Sequence, residues 1–365
     1  MAVVPDVGAL VDGWGALADR VAAPPALHPG YLLAWEGAHA APGRLRALAA
    51  RREGELSAVL PLVMSRSGIS TVALHDVEEA GIVAVDEDAA LAVARAALSL
   101  RVGRLLLRPV PAGEATHRAV LAAAAAAGGS VLARTIDTHP RVDISTDWES
   151  YWRARSRNTR SDVSRRRRRL AELGEVAIDV RDGSASLDAD LDVALRIEAS
   201  GWKGRSGTAL AARPADERFH RSLARWAAGR GWFRLSFLRV DGRPVAFHYS
   251  LQAHGVLYAL KIGYAQDMAD HSPGKVLLAA EIERAFADGC RRFDFAGSAA
   301  DYKTRWATGS RDLLELSVFP PTPLGHAARG VAHGRARATP AAKRVHDRLP
   351  GARARHPDQR RTSPR

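Results

Sequence analysis

Alternating apolar and polar positions mark a run of strands in the second half of the chain. The segment WFRLSFLRV places Phe233, Leu235 and Phe237 on one face, and Asp241-Gly242 follows it as a two-residue hairpin turn. The segments PVAFHYSLQ and GVLYALKIGY continue the pattern without a long break. The sequence therefore predicts three consecutive antiparallel strands.

The middle strand of this group carries one titratable side chain opposite its apolar face. Alternation puts Val245, Phe247, Tyr249 and Leu251 on one side and His248 on the other. His248 is a candidate proton acceptor, and a histidine satisfied by neighbouring strand groups is the alternative.

A helix follows these strands in the segment HSPGKVLLAAEIERAFADG. Its start has Ser272 as N-cap and Pro273 at the first helical position, and Gly289 ends it. The period of its apolar positions predicts an inward face of Leu278, Ile282, Ala285 and Phe286. A further strand, RRFDFAG, comes next.

The first 140 residues alternate short strand-like runs with Ala-rich helical runs, one of which ends at Gly128-Gly129. A second unit begins near Pro140, and its first helix is predicted from about Trp148 to Leu173. We therefore predict an α+β chain with one domain over residues 1–140 and another over residues 141–325.

Net charge is concentrated at the end of the chain. Residues 326–365 hold eleven Lys or Arg and two acids, out of a formal net charge of +13 for the whole chain. This segment has no sustained apolar period, so we predict a disordered basic tail. The remaining body is only mildly basic.

A second basic cluster runs from Arg153 to Arg169. Residues 151–170 contain nine Arg and a single acid, Asp162. Consecutive helical residues step by about 100°, so Arg165 to Arg169 point all round the axis, and at least one must find an anion or bend toward solvent. A solvated helix and a phosphate contact are both open here.

Composition excludes several classes of protein. A single cysteine, Cys290, excludes an internal disulfide and any zinc or iron–sulfur site built from cysteines, and the first 140 residues contain no His pair with metal-ligand spacing, so we expect no metal. No apolar stretch is long enough for a membrane span, and Asp6 and Asp12 precede the first basic residue, unlike a secretory signal. We expect a cytoplasmic protein.

The predicted helix start at Ser272 is the strongest candidate site. Amides of Gly274, Lys275 and Val276 lie at the positive end of the helix dipole, and Gly274 permits close approach of a ligand to the backbone. Lys275 adds a point charge suited to phosphate. The segment is not a P-loop, because that motif requires Gly and Ser or Thr where this chain has Ala269 and Val276.

A group of short motifs, in this order, resembles a known family. They are Trp202-Lys203, Ser272-Pro273-Gly274, Phe293-Asp294-Phe295 and Tyr302-Lys303-Thr304-Arg305-Trp306. Together with the strand group and its following helix, they resemble the CelD/BcsL-type branch of the GNAT acetyltransferases, which is related to the Fem-type aminoacyltransferases. The resemblance extends to about residue 320, although the family's pyrophosphate loop usually has Gly where this chain has Ser272.

The resemblance implies two tandem GNAT-like domains, the first degenerate, and direct acyl transfer from coenzyme A. It implies acetyl-CoA as co-substrate, held by Ser272, Gly274, Lys275, Val276, Leu260 and Ile262, with a backbone N–H between Leu260 and Gly263 polarising the thioester. The acceptor would be an amine or hydroxyl, such as a sugar or an envelope or polysaccharide precursor.

Candidate catalytic and acceptor residues follow from the same resemblance and from their chemistry. Glu198 and Asp294 are candidate bases, although a helix-surface carboxylate and a strand-end anchor are their structural alternatives. Tyr302 could protonate or hydrogen-bond the leaving sulfur. Lys303 corresponds to a lysine at the reaction centre of the Fem relatives. Acceptor contacts are predicted for Trp202, Lys203 and Trp306.

Two other functions remain open at this point. A Fem-like enzyme would transfer an aminoacyl group from tRNA to a peptidoglycan precursor, and the cluster from Arg153 to Arg169 would follow the tRNA phosphates. A non-enzymatic binder would hold a polyanion or nucleic acid through the basic tail.

Overall fold

The computed structural model describes residues 2–4, 7–39, 44–65, 68–70, 79–200 and 213–332. The α-helices are α1 (Val11–Arg20), α2 (Pro29–His39), α3 (Glu87–Leu98), α4 (Ala115–Ala127), α5 (Trp148–Ala154), α6 (Arg157–Ala171), α7 (Leu187–Ser200), α8 (Pro214–Gly229), α9 (Pro273–Ala287), α10 (Asp301–Thr304) and α11 (323–332). The strands are β1 (Ala2–Val4), β2 (Leu45–Arg52), β3 (Glu55–Ser65), β4 (Gly68–Ser70), β5 (Val83–Ala84), β6 (Leu105–Pro111), β7 (Ser130–Asp143), β8 (Val176–Arg181), β9 (Phe233–Val240), β10 (Arg243–Ala253), β11 (Val256–Tyr264), β12 (Arg292–Asp294) and β13 (Gly309–Phe319).

Within the described residues these strands form one sheet in the order β1-β2-β3-β4-β6-β13-β7-β12-β11-β10-β9-β8, with β5 beside β3. One order of elements occurs twice: a strand, two helices, antiparallel strands, a helix and a strand parallel to its neighbour. With the helix and strand that follow each set, the first copy runs from β1 to β7 and the second from β8 to β13. This repeat confirms the prediction of an α+β fold with two similar halves.

The two copies meet at long central strands. β7 pairs with β12 and with β13, and β13, at the end of the second copy, also pairs with β6 of the first. The predicted domain boundary at residue 140 lies inside β7. The division into domains therefore stays a prediction, and the sheet itself is continuous across that boundary.

Helices from both copies share one hydrophobic core. Trp14 and Tyr31 from the first copy lie in the same buried cluster as Phe219, Phe237 and Tyr249 from the second. The rings of Tyr31 and Phe219 meet edge to face at 5.4 Å. The first copy therefore packs against helices α7 and α8 on one face of the second copy.

Gly30 on α2 and Trp226 on α8 are in close contact in this core. We therefore expect substitution of Gly30, but not of other glycines in α2, to lower the stability of the fold. A Cβ added at Gly30 would lie 1.9 Å from the indole nitrogen of Trp226, so Gly30→Ala forces α2 away from α8. We expect the free energy of unfolding to fall by about 1–3 kcal/mol, as in other overpacked cores. Gly37→Ala in the same helix meets no atom within 4 Å and should raise it by up to about 1 kcal/mol. Chemical denaturation of both variants measures this, and equal stabilities would contradict the packing.

The predicted hairpin is confirmed with one change of register. Asp241 and Gly242 have positive φ, 47° and 75°, which is the geometry of a tight hairpin turn. The register of β10 against β9 shifts between Pro244 and Ala246, so Val245 packs on the opposite side from Phe247. The prediction that Val245 shares a face with Phe247 is therefore wrong, because this bulge adds one residue to β10.

The predicted helix from Trp148 to Leu173 is two helices. Arg155 is extended, and Ser156 begins α6 with its hydroxyl accepting from the Thr159 amide at 3.1 Å. The Arg155 guanidinium donates to the carbonyl of Trp306 at 3.0 Å and lies 4.5 Å from the centre of the Tyr151 ring. These contacts hold the break between α5 and α6.

Part of the segment predicted to be a disordered basic tail is helical. Helix α11 covers 323–332, including the first seven residues of the segment predicted to be disordered. The Thr322 hydroxyl accepts from the Gly325 amide at 3.1 Å, which caps the start of this helix. Residues 333–365 lie outside the described residues. Among those described, no helix combines the length and the apolar character needed to cross a membrane.

Candidate active site

The sheet opens beside the second half of β11. Parallel pairing joins Val256–Tyr258 to Arg292–Asp294, where β12 ends, whereas β11 continues to Tyr264. Opposite β10, the register of β11 shifts so that Leu260 is an extra residue. Such a bulge bends a strand and re-aims its backbone groups. The opening is therefore produced by the end of one strand and the bulge in another.

An inner cavity of about 150 Å³ occupies this opening. His248, Leu260, Ile262, Phe295, Tyr302 and Lys303 are among the residues that line it. A larger outer cavity of about 1100 Å³ shares Ile262, Leu278 and Tyr302 with the inner one. The two cavities are therefore adjacent, with the smaller one beside the strand.

Two helix N-termini border the outer cavity. Ser272, Gly274 and Lys275 belong to the start of α9, and Ser156 and Asn158 belong to the start of α6. Each N-terminus carries the positive end of a helix dipole and unpaired amides. Arg165 and Arg305 also line this cavity. The wall is therefore suited to a ligand with several negative charges.

A single carboxylate holds the cations of this wall in place. Asp162 accepts hydrogen bonds from Lys275 at 2.9 Å, from Arg165 at 2.6 Å and from Arg166 at 3.0 Å. Burial alone would raise the pKa of Asp162, but the hydrogen bonds from Lys275 and Arg166 outweigh it and lower the pKa to about 2. Asp162 is thus ionised at neutral pH. Its one negative charge is outnumbered by the three positive charges of Lys275, Arg165 and Arg166, so the group as a whole is positive.

Ser272 stands at the N-cap position of α9, as predicted, but its side chain does not cap the helix. It has positive φ (50°), and its hydroxyl accepts from Arg166 at 2.6 Å and donates to the carbonyl of Ala269 at 3.3 Å. The backbone amide of Lys275 donates to the carbonyl of Ser272 at 3.1 Å, so it is not one of the free amides. The side chain of Val276 is buried in a core cluster, which leaves only its backbone for ligand contact.

A side-chain carbon added at Gly274 would fit without displacing a neighbouring residue. Its φ is not positive, and an added Cβ would lie 3.5 Å from Tyr264, an ordinary van der Waals distance. Neither backbone conformation nor packing therefore requires glycine at this position. Pro273 has no N–H, so the amide of Gly274 is the first of the helix, on the wall of the outer cavity.

The Tyr302-Lys303 motif lies at the junction of the two cavities. Tyr302 borders both, is 40% exposed, and has its pKa raised by burial of the phenol. The ammonium of Lys303 donates to the carbonyl of Phe295 at 3.1 Å on the wall of the inner cavity. Trp306 borders the outer cavity, and its buried ring stacks against Trp152 at 5.9 Å.

The two candidate carboxylate bases lie in different surroundings. Asp294 is buried, accepts from the Ala296 amide at 3.0 Å, and lies 3.4 Å from Arg311, which also binds Glu79. Glu198 is buried on α7 with 3% exposure, so the helix-surface alternative for it is wrong. Neither carboxylate lines the inner or the outer cavity. Trp202 and Lys203 lie outside the described residues.

Sequence reasoning gave no role to three residues at or beside this site: Asp162, Glu281 and Arg305. Asp162 was visible as the only acid among nine arginines, although its partner Lys275 is far away in the sequence. Glu281 lies one helical turn before Ala285 and faces His248 across α9 and β10. No local sequence signal indicates that pairing.

A group of metal-ligand type lies elsewhere in the described part of the chain. Asp19, His28 and His254 place one candidate ligand atom each within 4.8 Å of one another. Arg230 donates to the Asp19 carboxylate at 2.5 Å, and burial, with the charge of Arg230, lowers the pKa of His28 to about 4. The carboxylate already holds a cation there, and the expectation of no metal stays a prediction.

A family model matches the part of the chain that contains most of this site. Residues 157–304 match the model for the acetyltransferase (GNAT) domain. This segment is therefore similar to GNAT-type acetyltransferase domains. It contains the N-termini of α6 and α9, the bulge in β11 and the Tyr302-Lys303 motif, which are the walls of both cavities. No curated protein matches the chain.

Solved structures resemble the chain over most of its length at low identity. The C-terminal domain of a putative lysylphosphatidylglycerol synthetase from Agrobacterium fabrum has 13% identity, covers 90% of this chain and 95% of its own, and has a TM-score of 0.56. L-PGS from Bacillus licheniformis has 14% identity, covers 91% of this chain and 98% of its own, and has a TM-score of 0.56. FemX has 12% identity, covers 86% of this chain and 97% of its own, and has a TM-score of 0.54. These similarities show that the GNAT-like segment and the preceding copy share the fold of those proteins.

Proposed function

We propose that this protein transfers an acyl group from coenzyme A to an amine or hydroxyl acceptor. The observation that carries the proposal is the convergence of two helix N-termini, Lys275 and Arg165 on an outer cavity that adjoins an inner cavity beside β11. The phosphates would lie against the N-termini, and the thioester would lie near Leu260 and Ile262. Acetyl-CoA is the expected donor, as in GNAT domains generally.

The proposed chemistry needs no covalent enzyme intermediate. The acceptor lone pair forms a bond to the thioester carbonyl carbon, a backbone N–H near Leu260 stabilises the oxyanion, and the carbon–sulfur bond then breaks. Tyr302, at the junction of the cavities, would donate a hydrogen bond to the departing sulfur. Lys303 and Trp306 would contact the acceptor, for which the resemblance to CelD/BcsL-type proteins suggests a sugar or an envelope or polysaccharide precursor.

Aminoacyl transfer from tRNA is the second candidate. The observation that favours it is the Arg-rich helix α6 at the mouth of the outer cavity, in a fold shared with FemX and L-PGS. The adenosine end of an aminoacyl-tRNA offers the same combination of phosphates and an activated acyl group. Its binding would fall steeply with salt, because each phosphate contact releases counterions.

Calorimetric titration with acetyl-CoA tests the proposal. We expect saturable binding that weakens about tenfold, or about 1.4 kcal/mol, in Lys275→Gln. The matched control is Arg101→Gln, an exposed arginine of the first copy far from both cavities in sequence, which should leave the dissociation constant unchanged. Failure of millimolar acetyl-CoA to bind, with salt-sensitive binding of aminoacyl-tRNA, would replace the proposal by the second candidate.

A further inference from the structure

Two ionisable side chains are buried together behind the inner cavity. His248 on β10 and Glu281 on α9 are each 1% exposed, and the Nδ1 atom of His248 lies 3.6 Å from a carboxylate oxygen of Glu281. The imidazole also lines the inner cavity, stacked 6.0 Å from the ring of Phe293. We propose that His248 is the general base of the acyl transfer and that Glu281 positions it, an inference that rests on the proposed function.

The geometry assigns different tasks to the two nitrogens of the ring. Nδ1 faces Glu281 at 3.6 Å, just beyond hydrogen-bonding distance, and has no hydrogen-bond partner among the described residues. Nε2 is on the far side of the ring from Glu281, so it is the nitrogen available to the inner cavity. A carboxylate beside Nδ1 favours the tautomer with hydrogen on Nδ1 and a lone pair on Nε2. Such contacts are commonly longer before the substrate is bound.

Arg284 and His248 share the charge compensation of Glu281. Arg284 lies 3.3 Å from the other carboxylate oxygen of Glu281 and donates to the hydroxyl of Ser236. Burial alone would raise the pKa of Glu281, but His248 and Arg284 outweigh it and lower the pKa, so this side chain is a carboxylate at neutral pH. Glu281 is therefore ionised where it faces the imidazole.

Charged and polar groups from several elements surround His248. Glu281 and Arg284 come from α9. Lys261, Tyr302 and Lys303 line the inner cavity on its other sides. The imidazole therefore lies between a carboxylate and the cavity in which the acceptor would bind.

The step balances without a further reactant. Nε2 takes the proton from the acceptor amine or hydroxyl as its lone pair forms the bond to the carbonyl carbon. The carbon–sulfur bond breaks, and the proton then passes from Nε2 to the thiolate of coenzyme A. The imidazole is neutral again, and Glu281 stays ionised throughout.

The test measures thiol release from acetyl-CoA, with water and then glucosamine as the acceptor, beside calorimetric binding of acetyl-CoA. We expect His248→Gln to lower kcat by at least about 100-fold, within the range for loss of a general base, with binding changed by less than about threefold. Glu281→Gln should lower kcat by about tenfold with acetyl-CoA binding changed by less than about threefold, and Glu281→Asp, which keeps the carboxylate, should recover part of that loss. His28→Gln, a buried histidine outside both cavities, is the control and should keep wild-type kcat.

Each result decides between the alternatives. Wild-type kcat in His248→Gln would overturn the role of His248. So would a wild-type protein that binds acetyl-CoA but does not accelerate thiol release in the presence of either acceptor. Wild-type kcat in Glu281→Gln, or no recovery of kcat in Glu281→Asp, would overturn the role of Glu281. Absence of acetyl-CoA binding to wild type would instead overturn the proposed function, and this inference with it. Should His248→Gln fail to fold, inactivation of the wild type by diethyl pyrocarbonate, with protection by acetyl-CoA, tests the same group, and absence of inactivation would count against it.

Discussion

Gly274→Trp is expected to abolish acetyl-CoA binding while leaving the protein folded. The indole would project from the start of α9 into the outer cavity, where it would occupy the space beside Tyr264 and block the amide of Gly274. We expect the dissociation constant to rise at least about 100-fold, or about 2.7 kcal/mol. Calorimetric titration measures this, with thermal unfolding as the test of folding.

Gly274→Ala is the matched control for this prediction. Its Cβ would be in ordinary contact 3.5 Å from Tyr264, and alanine favours a helix over glycine by up to about 1 kcal/mol. The variant should be at least as stable as the wild type and should retain most of its affinity. Wild-type affinity in Gly274→Trp would mean that the ligand does not approach the start of α9.

Arg311→Met is expected to cause the largest loss of stability. The Arg311 side chain is 9% exposed and lies between two buried carboxylates, Glu79 and Asp294, which are 6% and 1% exposed. Removal of one partner from a buried ion pair typically costs about 3–5 kcal/mol, because a buried charge is left without compensation. Chemical denaturation at pH 8 should show a loss of that size.

The loss should depend on pH in a defined direction. Burial raises the pKa of Glu79, and the charge of Arg311 opposes this rise. Without Arg311 the pKa of Glu79 rises further above its unfolded value, so the folded variant binds the proton more tightly and is relatively more stable at low pH. The difference from wild type should therefore be smaller at pH 5 than at pH 8.

An exposed ion pair provides the control for Arg311→Met. Arg118 and Glu87 lie 2.7 Å apart with side chains 56% and 79% exposed. Arg118→Met should lower the free energy of unfolding by no more than about 1 kcal/mol, since water already screens that pair. Equal losses in the two variants would mean that Arg311, Glu79 and Asp294 do not form a buried cluster.

Local chemistry made much of the second copy predictable. Asp241-Gly242 specifies its turn because few other residue pairs tolerate positive φ at both positions, and Pro273-Gly274 specifies the start of α9 in the same direct way. The inward face of α9 follows from its period, and Ile282 and Ala285 are fully buried. The start of α6 had a local signal as well, the Ser156 hydroxyl and Thr159 amide, which the longer apolar pattern concealed.

Long-range pairings were beyond sequence reasoning. β13 lies between β6 and β7, and no periodicity in any of the three indicates that the end of one copy completes the sheet of the other. Asp162 with Lys275, His248 with Glu281 and Arg311 with Glu79 each join residues from separate elements. Such contacts depend on how elements pack, and a single sequence carries no local record of that packing.

The most direct test of the central claim is a crystal structure with a non-hydrolysable thioether analogue of acetyl-CoA. The account predicts the pyrophosphate within hydrogen-bonding distance of the Gly274 amide, with Lys275 and Arg165 beside the phosphates. The sulfur should lie in the inner cavity between Leu260 and Tyr302, with His248 near the acyl carbonyl. A ligand bound elsewhere, or empty cavities at saturating analogue, would contradict the account.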